Sequence, residues 1–123
     1  MSTICFWAAA GVVAATIILH VVYGGRRYVR PMLASELGPF LKWLSYAMWH
    51  VGTVASITLG VGFALAAMDP VRTDYAMAAT LTAAGFVLVA AYAGIRSGLG
   101  LFSFPVVPLF GIVTALGAAA LLV

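Results

Sequence analysis

Four long intervals of the sequence contain no charged side chain, and they restrict the fold more than any other feature. They comprise residues 1–25, 43–68, 75–95 and 97–123. A helix rises about 1.5 Å per residue, so about 20 apolar residues cross a hydrocarbon core of about 30 Å. Every interval reaches that length, and none shows the alternating pattern of a membrane β-strand. The sequence therefore predicts an all-α membrane protein, a bundle of four transmembrane helices.

The composition also indicates burial in lipid. Hydrophobic residues make up 65% of the 123 residues, whereas about 45–50% is typical of soluble domains. The six Lys or Arg residues and three Asp or Glu residues lie between the apolar intervals. The formal net charge of +3 therefore indicates loops beside a membrane rather than a nucleic-acid-binding surface. Membrane lipids are predicted partners, and nucleic acid is not.

Glycine and proline residues set the predicted helix boundaries within a single domain of residues 1–123. Gly24 and Gly25 are expected to end the first helix, because glycine readily adopts the conformations found at helix C-termini. Pro39 suits the first turn of the second helix, where its missing N–H has no consequence. The predicted helices span about 3–23, 39–68, 74–96 and 105–123.

Positive side chains are concentrated in the first and third predicted loops. The first loop carries Arg26, Arg27, Arg30 and Lys42 and the third carries Arg96, whereas the second carries Arg72 alone. Cytoplasmic loops are enriched in Lys and Arg, so both loops are expected in the cytoplasm and both termini on the opposite side. The arginine cluster is also expected near anionic lipid, where each charge contributes about 1 kcal/mol.

Two histidines are the ionisable residues predicted at membrane depth. His20 lies six residues before Arg26, and His50 lies eight residues after Lys42, which places them about 9 Å and about 12 Å from the same interface. Ionisable residues inside a membrane are functional candidates because their burial is costly. Neutral imidazoles on two helices can ligate a metal ion or hold haem b as axial ligands. In that hypothesis Arg26, Arg27 and Arg30 bind the haem propionates.

Two other interpretations of the histidines stay open. One is structural, with hydrogen bonds to local partners such as Thr16, Tyr46 and Thr53. The other is contact with a quinone, a lipid or another small molecule. Trp49 is expected to belong to the aromatic belt at the membrane interface.

Small side chains recur at every fourth position on two predicted helices. Gly52, Ser56 and Gly60 form one stripe, and Gly11 and Ala15 form another. Such stripes allow another helix to approach closely, either within the bundle or from a second subunit.

No catalytic constellation is evident in the sequence. There is no nucleophile, base and acid set, no glycine-rich phosphate loop, and no carboxylate inside an apolar interval. The predicted function is therefore that of a non-enzymatic accessory or assembly subunit, which packs with itself or with a larger membrane complex. A bis-histidine haem b electron carrier and a small-molecule, quinone or lipid binding protein are the alternatives.

A series of short motifs in the first half carries a family resemblance. His20, Gly24-Gly25-Arg26-Arg27, Pro31-Met32-Leu33 and Trp49-His50 resemble a family of small uncharacterised bacterial four-helix membrane proteins. In that family a histidine ends the first span and a Trp-His pair opens the second. The resemblance implies that His20, Arg26, Pro31 and His50 form one feature on the cytoplasmic side of the bacterial inner membrane. Gly25 departs from the family pattern, in which an acidic residue often follows the glycine. The resemblance implies a fold and no activity.

Overall fold

The fold is all-α throughout residues 2–123, the part of the chain that the computed structural model describes. Helices account for 88% of it, and those residues contain no strand. The elements are α1 (Ser2–Ile18), a π-helical segment (Leu19–Val29), α2 (Arg30–Ala34), α3 (Pro39–Met68), a 3-10 turn (Pro70–Arg72), α4 (Thr73–Arg96) and α5 (Val106–Leu122). Since α1, the π-helical segment and α2 form one continuous helix (Ser2–Ala34), the predicted four-helix, all-α fold is confirmed for the described residues.

Three of the four helices are long and apolar enough to cross a membrane. They are Ser2–Ala34, Pro39–Met68 and the stretch Pro70–Arg96, which includes α4. The fourth, α5, is apolar but has only 17 residues, which is at the short end of the range of about 17–25 for a spanning helix.

The first helix does not end at Tyr23, and that predicted boundary is wrong. The chain continues through Gly24 and Gly25 in π-helical turns, and the N–H of Arg30 donates to the carbonyl of Gly25. Neither glycine has a positive φ, so neither forms the left-handed turn that commonly ends a helix. Contacts with α3, described below, hold this segment in place.

The four helices pack in a ring around a core that lies at one end of the bundle. The first helix contacts α3 and α5, and α4 also contacts α3 and α5. The buried apolar core comprises Phe6, Ala9, Val13, Leu59, Phe63, Ala66, Ala67, Ala76, Ala79, Ala83, Phe110, Val113 and Ala120. Most of these residues belong to the half of the bundle that contains the start of α1 and the end of α5. We call it the core end; the opposite half, which includes the arginine cluster, is the cavity end.

Small residues bring the helices close together at the core end. A Cβ atom on Gly117 of α5 would overlap with Thr80 Oγ1 of α4 and would lie 3.0 Å from the Phe63 ring of α3. The Thr80 hydroxyl donates to the Ala76 carbonyl of its own helix at 2.7 Å. It therefore needs no partner on another helix, and α5 can pack directly against it.

The loop after α4 depends on glycine. Gly98 and Gly100 have φ angles of 73° and 104°, a region that other residues rarely adopt. The turn directs the Gly100 N–H to the Gly94 carbonyl at 3.0 Å, and a Cβ on Gly94 would overlap with the Gly100 carbonyl oxygen. This compact turn leads to Phe104 and Val106, which line a cavity at this end of the bundle.

Candidate functional site

His20 of the π-helical segment contacts Trp49 of α3. Their rings stack almost in parallel, with centroids 3.7 Å apart and an interplanar angle of 11°. The Nε2 atom of His20 lies 3.2 Å from the backbone carbonyl oxygen of Trp49. Because a carbonyl oxygen only accepts hydrogen bonds, Nε2 is the donor. In the neutral ring, Nδ1 is therefore left as a hydrogen-bond acceptor.

Gly24 allows Trp49 to occupy this position. A Cβ atom on Gly24 would lie 2.6 Å from Cη2 and 2.7 Å from Cζ2 of the indole, which is closer than such atoms can approach. The Tyr28 ring also packs at a tilt against Trp49, with centroids 6.2 Å apart. His20, Gly24 and Tyr28 succeed each other every four residues, so one side of the first helix contacts the indole.

Two adjoining cavities surround His20 at the cavity end. One has a volume of about 330 Å³ and the other about 490 Å³. His20, Ser56, Val106 and Phe110 line both of them. We call the combined space the His20 cavity. Its remaining walls are mainly apolar and aromatic, and they include Leu19, Tyr23, Tyr28, Phe86, Val89, Ala90, Ala93, Phe104, Pro105 and Leu109.

Three polar side chains of the His20 cavity, those of His20, Ser56 and Thr16, offer hydrogen-bond acceptors, and the phenolic hydroxyls of Tyr23 and Tyr28 belong to the same lining. The hydroxyl of Ser56 donates to the Gly52 carbonyl at 2.8 Å, and the hydroxyl of Thr16 donates to the Val12 carbonyl at 2.8 Å. Their protons are therefore committed to the helix backbone, while the oxygen lone pairs can still accept. Together with Nδ1 of His20, these groups suit a ligand that donates a hydrogen bond.

His50 lies in a separate groove. It is exposed, and its ring meets the Tyr46 ring edge to face, with centroids 4.5 Å apart. The groove has a volume of about 410 Å³, and Arg26 and Arg30 also line it. We call this space the basic groove. Its other lining residues are Val21, Val22, Gly25, Val29, Tyr46 and Trp49.

The predicted haem site is therefore not assembled as one pocket. His20 lines the His20 cavity, and His50 lines the basic groove. The Nε2 atom of His20 is bound to the Trp49 carbonyl and would have to leave it to coordinate iron. Arg27 lies away from the groove, with its guanidinium carbon 6.0 Å from the centroid of the Tyr23 ring. The haem hypothesis stays a prediction that this geometry does not favour.

The predicted two-histidine metal site has no third ligand in this structure. Among residues 2–123, no group of three or more His, Cys, Asp or Glu side chains is placed to hold a metal ion. His20 and His50 would have to bind the ion with water or ligands from elsewhere.

The two small-residue stripes have different surroundings. Gly52 lines the His20 cavity, Ser56 is buried, and a Cβ on Gly60 would lie 3.3 Å from Val13 Cγ1 of α1. This stripe therefore faces the bundle itself. Gly11 and Ala15 are exposed, and the Cβ position of Gly11 has no neighbour within 4 Å.

Sequence reasoning missed the roles of Gly24, Trp49 and Phe110. The Phe110 ring meets Phe86 edge to face, with centroids 5.2 Å apart, and forms a wall of the cavity. The spacing of His20, Gly24 and Tyr28 was the available signal for the Trp49 contact, because residues four apart share one side of a helix. No comparable signal identified Phe110.

The chain matches no known protein family, no curated protein and no solved structure. The resemblance to small bacterial four-helix membrane proteins therefore stays a prediction, and the proposals that follow depend on geometry and chemistry alone.

Proposed function

We propose that the protein is a four-span membrane bundle that binds a lipophilic small molecule carrying a hydroxyl group. The observation that carries this proposal is the largely apolar His20 cavity with the half-buried imidazole of His20 in its wall. Apolar cavities with a few polar groups are typical of small-molecule sites. Quinols and hydroxyl-bearing lipids share the required chemistry.

Apolar side chains on the outside of the bundle support insertion into lipid. Leu88 of α4 is 70% exposed, and Val54 of α3 is 64% exposed. Contiguous exposed apolar surface is unfavourable in water and favourable in a bilayer. With α5 as a short fourth span, we propose a multi-pass protein of the bacterial inner membrane. The arginine-rich cavity end then lies in the cytoplasmic leaflet and both termini are periplasmic.

The acceptor at Nδ1 of His20 suits a hydroxyl head group. A quinol hydroxyl can donate to Nδ1 of His20, whereas a quinone carbonyl needs a donor. The donors of Ser56 and Thr16 already bond to their own helices. A quinone carbonyl is therefore limited to the phenolic hydroxyls of Tyr23 and Tyr28 as donors, so binding of the reduced molecule is expected to depend on His20 more than binding of the oxidised one.

Binding by the purified chain in detergent tests this proposal. The probes are a short-tailed benzoquinol under anaerobic conditions, the corresponding benzoquinone, and a diacylglycerol, each titrated by calorimetry. We expect His20→Leu to weaken binding of the preferred probe about tenfold, since one hydrogen bond contributes about 1–1.5 kcal/mol. We expect Ala90→Phe to weaken binding by filling the cavity while His20 is retained.

His50→Leu is the matched control, because it removes an imidazole outside the cavity. Equal losses for His20→Leu and His50→Leu would contradict the assignment, as would a lack of binding by all three probes. Preference for the diacylglycerol would identify a lipid site, and preference for the benzoquinol a quinol site.

The exposed stripe of Gly11 and Ala15 favours a second proposal, an accessory or assembly role. Small exposed residues four apart let a helix of another subunit, or of a second copy, approach α1. In a mild detergent we expect the native chain to migrate in a native gel as an assembly larger than a monomer. Gly11→Leu is expected to dissociate it, and Ala78→Leu at an exposed site on α4 is not. A native chain that purifies as a lone monomer would contradict this role.

A further inference from the structure

The basic groove carries positive charge with no matching carboxylate. Arg26 and Arg30 are exposed and line the groove beside His50. Within residues 2–123, the ion pair found is between Arg72 and Asp69, at the other end of the bundle. The two guanidinium groups are therefore available to an anion from outside the chain.

The groove is apolar below its charged rim. Val21 and Val22 precede Arg26 by about one turn, and the first helix runs from the core end toward the arginines. In the proposed orientation these valines lie deeper in the membrane than the guanidinium groups. Tyr46 and Trp49 of α3 form the opposite wall. A molecule that fits this groove has an anionic head at the interface and an apolar tail directed into the bilayer.

The π-helical turns place these features on one side of the first helix. Hydrogen bonds between residues five apart, such as Arg30 N–H to Gly25 carbonyl, widen the turn. Val21, Gly25, Arg26 and Arg30 thereby face the same groove. Arg27 lies near the Tyr23 ring instead and does not line it.

We propose that the basic groove binds the phosphate of an anionic membrane phospholipid. Arg26 and Arg30 donate charge-assisted hydrogen bonds to the phosphate oxygens, and an acyl chain lies along Val21 and Val22. This site is distinct from the His20 cavity, although it rests on the proposed insertion into a membrane. Its occupant is a lipid rather than a soluble anion because the groove continues from charged to apolar surface.

Quenching of Trp49 by brominated lipids tests the proposal. Trp7→Phe and Trp43→Phe, at two exposed positions, leave Trp49 as the reporter in the full chain. The protein is placed in phosphatidylcholine vesicles that contain either brominated phosphatidylglycerol or brominated phosphatidylcholine. We expect the phosphatidylglycerol to quench more strongly. We expect Arg26→Gln and Arg30→Gln each to reduce this preference roughly fivefold, and the double variant roughly 25-fold.

Arg27→Gln is the matched control, since it removes the same charge from the same segment outside the groove. An equal reduction by Arg27→Gln would overturn the proposal in favour of diffuse attraction to the membrane. Displacement of the brominated lipid by inorganic phosphate, but not by sodium chloride at equal ionic strength, would overturn it in favour of a soluble anion. A lack of preference in the native chain would also overturn it.

The same vesicle experiment distinguishes a failure of this proposal from a failure of the function proposed above. Ala90→Phe, which fills the His20 cavity and retains the His20–Trp49 stack, is expected to retain the preference for phosphatidylglycerol, so the groove can bind lipid even if the His20 cavity binds none of its probes. If the chain does not sediment with vesicles of either composition, membrane insertion itself fails, and both proposals fail with it.

Discussion

Replacing Phe63 with alanine is expected to lower the free energy of unfolding by about 2–3 kcal/mol. Phe63 is completely buried, with 0% exposure. Its ring packs on Phe6 of α1, with centroids 6.4 Å apart, and next to Gly117 of α5. One side chain of α3 thus joins two other helices, and its removal leaves a cavity at the core end.

The expected loss in the free energy of unfolding comes from lost packing of the phenyl ring rather than from its transfer out of water. In the proposed membrane-inserted state the separated helices still lie in an apolar medium, so helix association depends largely on van der Waals contact. Removal of a phenyl group leaves roughly 100 Å³, and about 24 cal/mol per Å³ of cavity gives about 2.4 kcal/mol. Unfolding in mixed micelles with increasing dodecyl sulfate, followed by circular dichroism, measures the change.

Phe40→Ala provides the control for this experiment. Phe40 belongs to the same helix but is 76% exposed, so its removal is expected to change the unfolding free energy by less than about 0.5 kcal/mol. Equal effects of the two substitutions would show that Phe63 does not lie in a packed core.

The helices could be predicted from the distribution of charge, but the end of the first helix could not. Inside a bilayer, an apolar interval of sufficient length forms a helix because its backbone groups must bond within the segment, and the sequence prediction used this rule. The Gly24-Gly25 pair is locally suited to end a helix, and sequence reasoning placed the boundary there. In the structure the indole of Trp49 fills the space beside Gly24, and the chain continues to Ala34. A contact between residues 25 positions apart in sequence therefore decides a local boundary.

For the two histidines, the position along each helix could be predicted from the sequence, but the direction of each side chain could not. Counting residues along two helices predicts a comparable depth for His20 and His50. In the structure the His20 ring contacts the backbone carbonyl of Trp49, the residue before His50. Counting does not determine how each helix is rotated against its neighbour. That rotation turns His20 toward Ser56 and Phe110, and His50 toward Tyr46 and the arginines.

Trp49 connects the two candidate sites. It stacks on His20 of the His20 cavity and also lines the basic groove with His50. The position of a single indole therefore shapes both spaces. Whatever displaces Trp49 is expected to alter ligand binding in the cavity and lipid binding in the groove together.

Gly24→Val is expected to displace the Trp49 indole and to lower the free energy of unfolding by about 1–3 kcal/mol, the usual cost of overpacking. The added Cβ would lie 2.6 Å from the indole, and valine adds two further methyl groups. Loss of the stack on His20 is expected to reduce the near-ultraviolet circular dichroism of tryptophan. It is also expected to weaken binding of the preferred cavity probe by up to about tenfold, because the stack on the indole that orients the imidazole is lost.

Gly25→Val is the control, since it makes the same change of residue one position later in the same π-helical segment. The Cβ position of Gly25 has no neighbour within 4 Å, so valine there is expected to leave the indole in place and to preserve the free energy of unfolding. The two glycines have the same intrinsic helix propensity, so any difference between the variants reports the contact with Trp49. If Gly24→Val matches Gly25→Val in stability and in its tryptophan spectrum, the indole does not pack against Gly24. The shared wall between the two sites would then be absent.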